Sequence, residues 1–148
     1  MFARVPWVAV TIIALFCVYT SAQTVSQVCL GCMCEVQTAC NTTIGCSGSI
    51  CGPFSITWAY WSDAGKPTLN NEPVNNDAFS RCVNDPYCAA GTVQGYMTKF
   101  GHDCTGDGII DCHDFIRIHK LGPNGCTAAL SEKTVNKFNL CLQTFDKQ

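Results

Sequence analysis

Cysteine constrains this chain more than any other residue. There are thirteen, and Cys17 lies in an apolar run near the N-terminus. The other twelve are Cys29, Cys32, Cys34, Cys40, Cys46, Cys51, Cys82, Cys88, Cys104, Cys112, Cys126 and Cys141. An even set in a secreted chain reads as a disulfide framework, here six bridges. The competing use of Cys29-x-x-Cys32-x-Cys34 is a zinc site, which an oxidising compartment disfavours. Twelve cysteines allow on the order of ten thousand pairings, so spacing leaves the connectivity open.

Secretion is read from residues 1–22. Arg4 gives a positive start, an apolar run follows from Val8 to Val18, and Thr20, Ser21 and Ala22 are small. That is the layout of a signal peptide cut after Ala22. The run falls short of the roughly 20 residues a membrane span needs, and no later stretch is apolar enough to span. The mature chain, 23–148, is then one extracellular domain with no membrane association. Arg4 leaves with the leader, so eight of the nine basic residues face eleven acids, a net charge of −3. There is no basic patch to suit nucleic acid, and no basic amphipathic helix for membrane attack.

Local signals divide the mature chain. Residues 28–40 suit a short helix, and Asn41–Gly52 reads as loop. Phe54–Trp58 alternates large and small side chains, as a strand does. Lys66–Asn76 is polar and reads as an exposed loop. Asn76 or Asp77 caps a helix through Val83. Asp85-Pro86 opens a second, running to Phe100, and a third spans Asp111–Lys120 before Gly122-Pro123. Ser131 caps a last helix to Phe145. The sum is α+β, mostly α, with a small β element. Asn41-Thr42-Thr43 is a glycosylation sequon.

The segment Asp103–Asp114 has the spacing of an EF-hand loop. Asp103, Asp107, Asp111 and Asp114 fall at positions 1, 5, 9 and 12, and Gly108 at position 6. Thr105 at position 3 and the short Asp114 at position 12 depart from that pattern, and Cys104 and Cys112 lie inside it. These four aspartates are the candidate ligands for Ca²⁺; the alternative is a disulfide-held acidic turn before a helix. No other cofactor is required.

Several ordered motifs resemble the invertebrate-type lysozyme family, which includes destabilase. They are Cys29-Leu30-Gly31-Cys32-Met33-Cys34, Gly45-Cys46, Cys51-Gly52, Phe54-Ser55-Ile56 and Ala59-Tyr60-Trp61-Ser62-Asp63. The second half adds Tyr87-Cys88-Ala89, Gln94-Gly95-Tyr96-Met97, His119 and Gly122-Pro123-Asn124-Gly125-Cys126. The likeness covers nearly the whole mature chain. It implies a lysozyme-like fold and a cleft for bacterial peptidoglycan, with Tyr60 and Trp61 as substrate-binding residues. It also implies antibacterial defence or digestion, through hydrolysis of the β-1,4 bond between N-acetylmuramic acid and N-acetylglucosamine. Some members also have isopeptidase activity, attributed to a serine with a histidine or lysine; Ser49 and His119 are the candidates. Two cysteines of more cysteine-rich members are replaced by Ala64 and Thr92, which suggests the loss of one bridge as a pair.

Hydrolysis of a glycosidic bond uses two carboxyl groups, one donating a proton and one attacking the sugar or activating water. The family's acid is a Glu in Cys-x-Cys-x-x-Glu-Ser-Gly-Cys, and Gln37 occupies that position. An amide has no such proton to give. The second acid lies between the cysteines matching Cys46 and Cys51, where this chain has only Ser47-Gly48-Ser49-Ile50. Glu35 lies about 200° round the helix from Gln37 and does not replace it. The resemblance therefore implies a glycosidase family and a member with weak or no muramidase activity. The alternatives are a peptidoglycan-binding pseudoenzyme and an isopeptidase.

Overall fold

Ser26 starts the first helix. Its hydroxyl accepts the Cys29 N–H at 3.1 Å, satisfying one of the donors every helix leaves unpaired at its start. The computed structural model describes residues 24–145; the expected leader lies outside the described residues. Helix α1 (Gln27–Thr38) buries Cys29, Leu30, Cys32, Met33 and Cys34. It ends before residue 40 because Ala39 and Cys40 turn left-handed, at φ 55° and 52°. Their N–H groups then reach back to Glu35 O and Cys34 O and close the last turn.

The segment 41–52, expected as loop, contains a hairpin. Strands β1 (Cys46–Ser47) and β2 (Ile50–Cys51) are antiparallel, with Cys46 opposite Cys51 and Ser47 opposite Ile50. Gly48, at φ 61°, supplies the positive φ that a two-residue hairpin turn needs. Strands of two residues show no alternation, which is why the sequence pattern missed them. β3 (Ile56–Thr57) pairs with β2. The strand expected over Phe54–Trp58 keeps only these two residues. Thr57 Oγ1 accepts the Tyr60 N–H at 3.2 Å and so caps α2 (Trp58–Asp63).

A 3-10 turn at Leu69–Asn71 interrupts the polar loop. The remaining helices follow their caps. Asn75, one residue earlier than expected, caps α3 (Asn76–Asn84). Asp85 caps α4 (Pro86–Phe100) with proline in the first turn. Asp111 and Asp114 form a capping box on α5 (Cys112–Leu121). Ser131 Oγ accepts the Thr134 N–H at the start of α6 (Glu132–Phe145). Met33, Ile56, Trp61, Met97, Ile116 and Phe138 are nearly inaccessible and form the core.

Six disulfides use all twelve of these cysteines. Cys29–Cys112 and Cys32–Cys141 fasten α1 to α5 and α6, across 83 and 109 residues of sequence. Closures of that length restrict the unfolded chain most, by a few kcal/mol each, typically ~2–4. Cys34–Cys40 and Cys46–Cys51 staple the end of α1 and the hairpin. Cys82–Cys88 joins α3 to α4, and Cys104–Cys126 ties the acidic loop to the segment after α5.

Candidate functional site

The last turn of α1, the hairpin with β3, α2 and the end of α5 surround an open hollow of about 300 Å³. Gln37, Ser55, Thr57, Tyr60, His119 and Lys120 line it, with Ile50 at the side. Lys120 carries the only charge among these side chains at neutral pH, and no acid is present.

His119 is fixed on both ring nitrogens. Nε2 lies 2.9 Å from the Phe54 carbonyl oxygen and Nδ1 2.9 Å from the Tyr60 hydroxyl. A carbonyl only accepts, so Nε2 carries the proton and Nδ1 accepts the Tyr60 O–H. Burial lowers the pKa of the ring to about 4, and the charge on Lys120 pushes the same way against the Phe54 hydrogen bond. The ring is neutral at physiological pH. Burial, with Tyr96 beside it, raises the Tyr60 pKa well above the usual value, so its phenol stays protonated. Tyr60 also stacks on Tyr96, with centroids 3.7 Å apart.

Lys120 Nζ donates to Gln37 Oε1 at 2.9 Å. An ammonium group only donates, which fixes the amide with its oxygen toward Lys120 and its NH₂ free to donate. Gln37 thus faces α5. Glu35 leaves α1 in another direction: its carboxylate lies 3.3 Å from Lys137 Nζ on α6. There it lines a second, larger hollow of about 460 Å³ with Leu140 and Phe145. Its lining holds no second carboxyl group.

Two expected assignments are corrected. Trp61 does not line the hollow. It is wholly buried, donates its indole N–H to Pro67 O at 2.7 Å and packs on Trp58 and Phe79; it is core. Ser49 and His119 do not form a pair. Ser49 is exposed at the hairpin turn, while both nitrogens of His119 are engaged by Tyr60 and Phe54. Ser55, Thr57 and Lys120 were not singled out from sequence. Ser55 adopts φ 54°, a conformation that costs a non-glycine residue about 1 kcal/mol.

In the acidic loop the carboxylates are bonded to backbone N–H groups. Asp114 is fully buried. Its Oδ1 accepts the N–H groups of Cys104 and Thr105, and its Oδ2 that of Asp111. Asp103 accepts from Gly106 and Gly108, and these bonds, Gly108 first, lower its pKa. Asp107 and Asp111 accept from Ile109 and His113. Among the described residues, no three of these carboxylates converge within 4.8 Å. As arranged, these carboxylates serve backbone N–H groups. Asn41 is exposed, and its Oδ1 accepts from the N–H and hydroxyl of Thr43.

Comparison with known proteins decides the family. The Destabilase family model matches residues 26–141. Invertebrate-type lysozyme 2 of Caenorhabditis elegans is 33% identical over 125 residues, covering 82% of this chain and 86% of that protein. The chain belongs to the invertebrate-type lysozyme family. A lysozyme of Magallana gigas is 35% identical over 123 residues, covering 78% of this chain and 80% of that protein. Among solved structures, the Meretrix lusoria lysozyme in complex with Aeromonas hydrophila PliI has a TM-score of 0.60 at 32% identity, covering 82% of this chain and 91% of that one. The Tapes japonica lysozyme has 0.57 at 36%, covering 80% and 89%. The invertebrate-type lysozyme fold is thus the frame on which the Gln37–Lys120 hollow is built.

Proposed function

We propose that this is a secreted protein that holds bacterial peptidoglycan in the Gln37–Lys120 hollow and hydrolyses little or none of it, in antibacterial defence or digestion. One observation carries the reading. Gln37, at the position the family resemblance gives to the acid, is bonded through its amide oxygen to Lys120. Neither residue can supply the carboxylic proton that the leaving oxygen needs, and the tight Cys46–Cys51 hairpin offers no second carboxylate. Loss of the acid alone typically costs 10²–10⁴-fold in rate, in round figures. What persists is a polar hollow beside an aromatic side chain, Tyr60, on a rigid disulfide-tied frame. An isopeptidase reading has no support from Ser49, which lacks a base.

The test pairs two measurements on the oxidised, secreted protein. Retention on insoluble peptidoglycan is expected, with clearance of a Gram-positive cell-wall suspension roughly a hundredfold or more below an active relative. Clearance at the rate of that relative overturns the reading. N-terminal sequencing of the secreted form is expected to begin at Gln23, and a retained leader would count against secretion by this route.

A further inference from the structure

The groups that line the hollow share a chemical character beyond the loss of the acid. Lys120 contributes an ammonium with two N–H bonds left after its bond to Gln37. Because the Gln37 oxygen is turned to Lys120, its NH₂ points elsewhere as a donor. Thr57 Oγ1 already accepts from Tyr60 N–H, which leaves its hydrogen to give. The Ser55 hydroxyl lines the hollow from a left-handed backbone position. His119 is neutral, and its one N–H is spent on Phe54 O. A hollow that in the family's scheme faces substrate with carboxyl groups is here a cluster of donors around one cation.

We propose that the hollow selects a sugar bearing a carboxylate, with Lys120 as the charge that recognises it and Gln37, Ser55 and Thr57 as flanking donors. A carboxylate accepts up to four hydrogen bonds and is bound more strongly by charged than by neutral donors. A neutral N-acetylglucosamine chain offers no such group. In intact peptidoglycan the muramic carboxyl is amide-linked to the stem peptide, so the free carboxylate belongs to peptide-free muramic acid if the ligand is a peptidoglycan fragment, or to a uronic acid if it is another acidic glycan. The inference rests on the glycan-binding reading and adds the charge of the ligand to it.

Titration calorimetry with three oligosaccharides of equal length tests this: one containing N-acetylmuramic acid, one containing a uronic acid, and an uncharged N-acetylglucosamine oligomer. The wild type is expected to bind a carboxylated chain about tenfold more tightly than the uncharged one, the size of one charge-assisted hydrogen bond. Lys120→Met is expected to abolish that preference, Lys120→Arg to keep it, and Gln37→Glu to abolish it as well, by pairing Lys120 with a carboxylate inside the hollow. Preference for the muramic chain, alone or with the uronic one, supports both readings. Preference for the uronic chain alone supports carboxylate selection and removes peptide-free peptidoglycan strands as the ligand. Equal binding of charged and uncharged chains, or a preference that survives Lys120→Met, overturns the selection while glycan binding stands. Binding of none of the three overturns both.

Discussion

Lys120 Nζ sits 2.9 Å from the side-chain oxygen of Gln37, although 83 residues separate them in sequence. Each residue determines what the other can do. The lysine turns the amide so that its donors are free, and the amide holds the ammonium at the wall of the hollow. The pair stands at the end of α1 and the end of α5, two helices crosslinked by Cys29–Cys112.

The same pair predicts the outcome of repairing the site. In Gln37→Glu, the new carboxylate would face Lys120 at ion-pair distance. An adjacent cation favours the charged form and lowers a carboxyl pKa, whereas a general acid must hold its proton near the operating pH. Gln37→Glu alone is therefore expected to clear a cell-wall suspension at the wild-type background. Activity is expected only when Lys120→Asn and an aspartate in a lengthened Cys46–Cys51 hairpin are added. Glu35→Ala, which touches α6 and not the hollow, is expected to leave glycan retention unchanged. Full clearance by Gln37→Glu alone would refute this account.

His119 predicts an acid-sensitive fold. Its folded pKa of about 4 lies below the ordinary 6.5, so between these values the unfolded chain binds the proton and the folded chain resists it. Stability from the neutral ring is complete above pH 6.5 and is lost as pH falls from 6.5 to about 4, by at most on the order of 3 kcal/mol. Below that window both states are protonated and the ring adds no further slope. Tyr60, whose hydroxyl bonds to the ring, is held above its ordinary range and does not titrate here. Thermal midpoints of wild type and His119→Gln at pH 7.5, 5.5 and 4, each buffer chosen to bracket the window, are expected to show a shallower fall in the variant. Parallel curves would show that the ring is not held neutral.

Helices α3 to α6 were legible because caps are local. Asp85-Pro86, Asp111 and Ser131 each mark a helix start within a few residues. Cysteine parity gave the number of bridges, and pairing, a property of the folded chain, required coordinates. The hairpin escaped because two-residue strands carry no period. Trp61 was misplaced for a related reason: Tyr60 and Trp61 are adjacent, and only the turn of α2 decides that Tyr60 lines the hollow while Trp61 enters the core. The resemblance gives position 37 to the acid, but no sequence pattern joins it to Lys120. EF-hand spacing in the acidic loop also suits a loop whose aspartates accept from their own backbone, which spacing alone does not distinguish.

That loop gives a prediction of its own. Calcium would have to displace hydrogen bonds already made, and Asp114 would have to leave a buried capping box. Millimolar Ca²⁺ is expected to shift the thermal midpoint by less than about 1 °C and to give no binding heat, since a ligand at or below its Kd stabilises little. Asp114→Asn, by contrast, is expected to cost about 1–3 kcal/mol, because the amide NH₂ would meet backbone N–H donors. A calcium-dependent rise of several degrees would show that the loop rearranges into a binding site.

Gly52 shows how closely the hairpin is pressed on α3. It follows β2 directly, at φ 74°, and a Cβ placed on it would lie 1.7 Å from the Val83 carbonyl oxygen. That neighbour is helix backbone and cannot swing aside as a flexible side chain would. Positive φ adds roughly 1 kcal/mol for any residue with a Cβ. Gly52→Ala is therefore expected to destabilise by more than about 3 kcal/mol, in the range reserved for buried clashes. Gly48→Ala has the same sign of φ, 61°, but no atom within 4 Å of the added carbon, so it isolates the backbone cost at about 1 kcal/mol. Denaturant midpoints of the two variants separate the terms. If both lose the same small amount, the hairpin and α3 are not in the close contact described, and the wall of the hollow formed by Ile50 is free to move relative to Gln37.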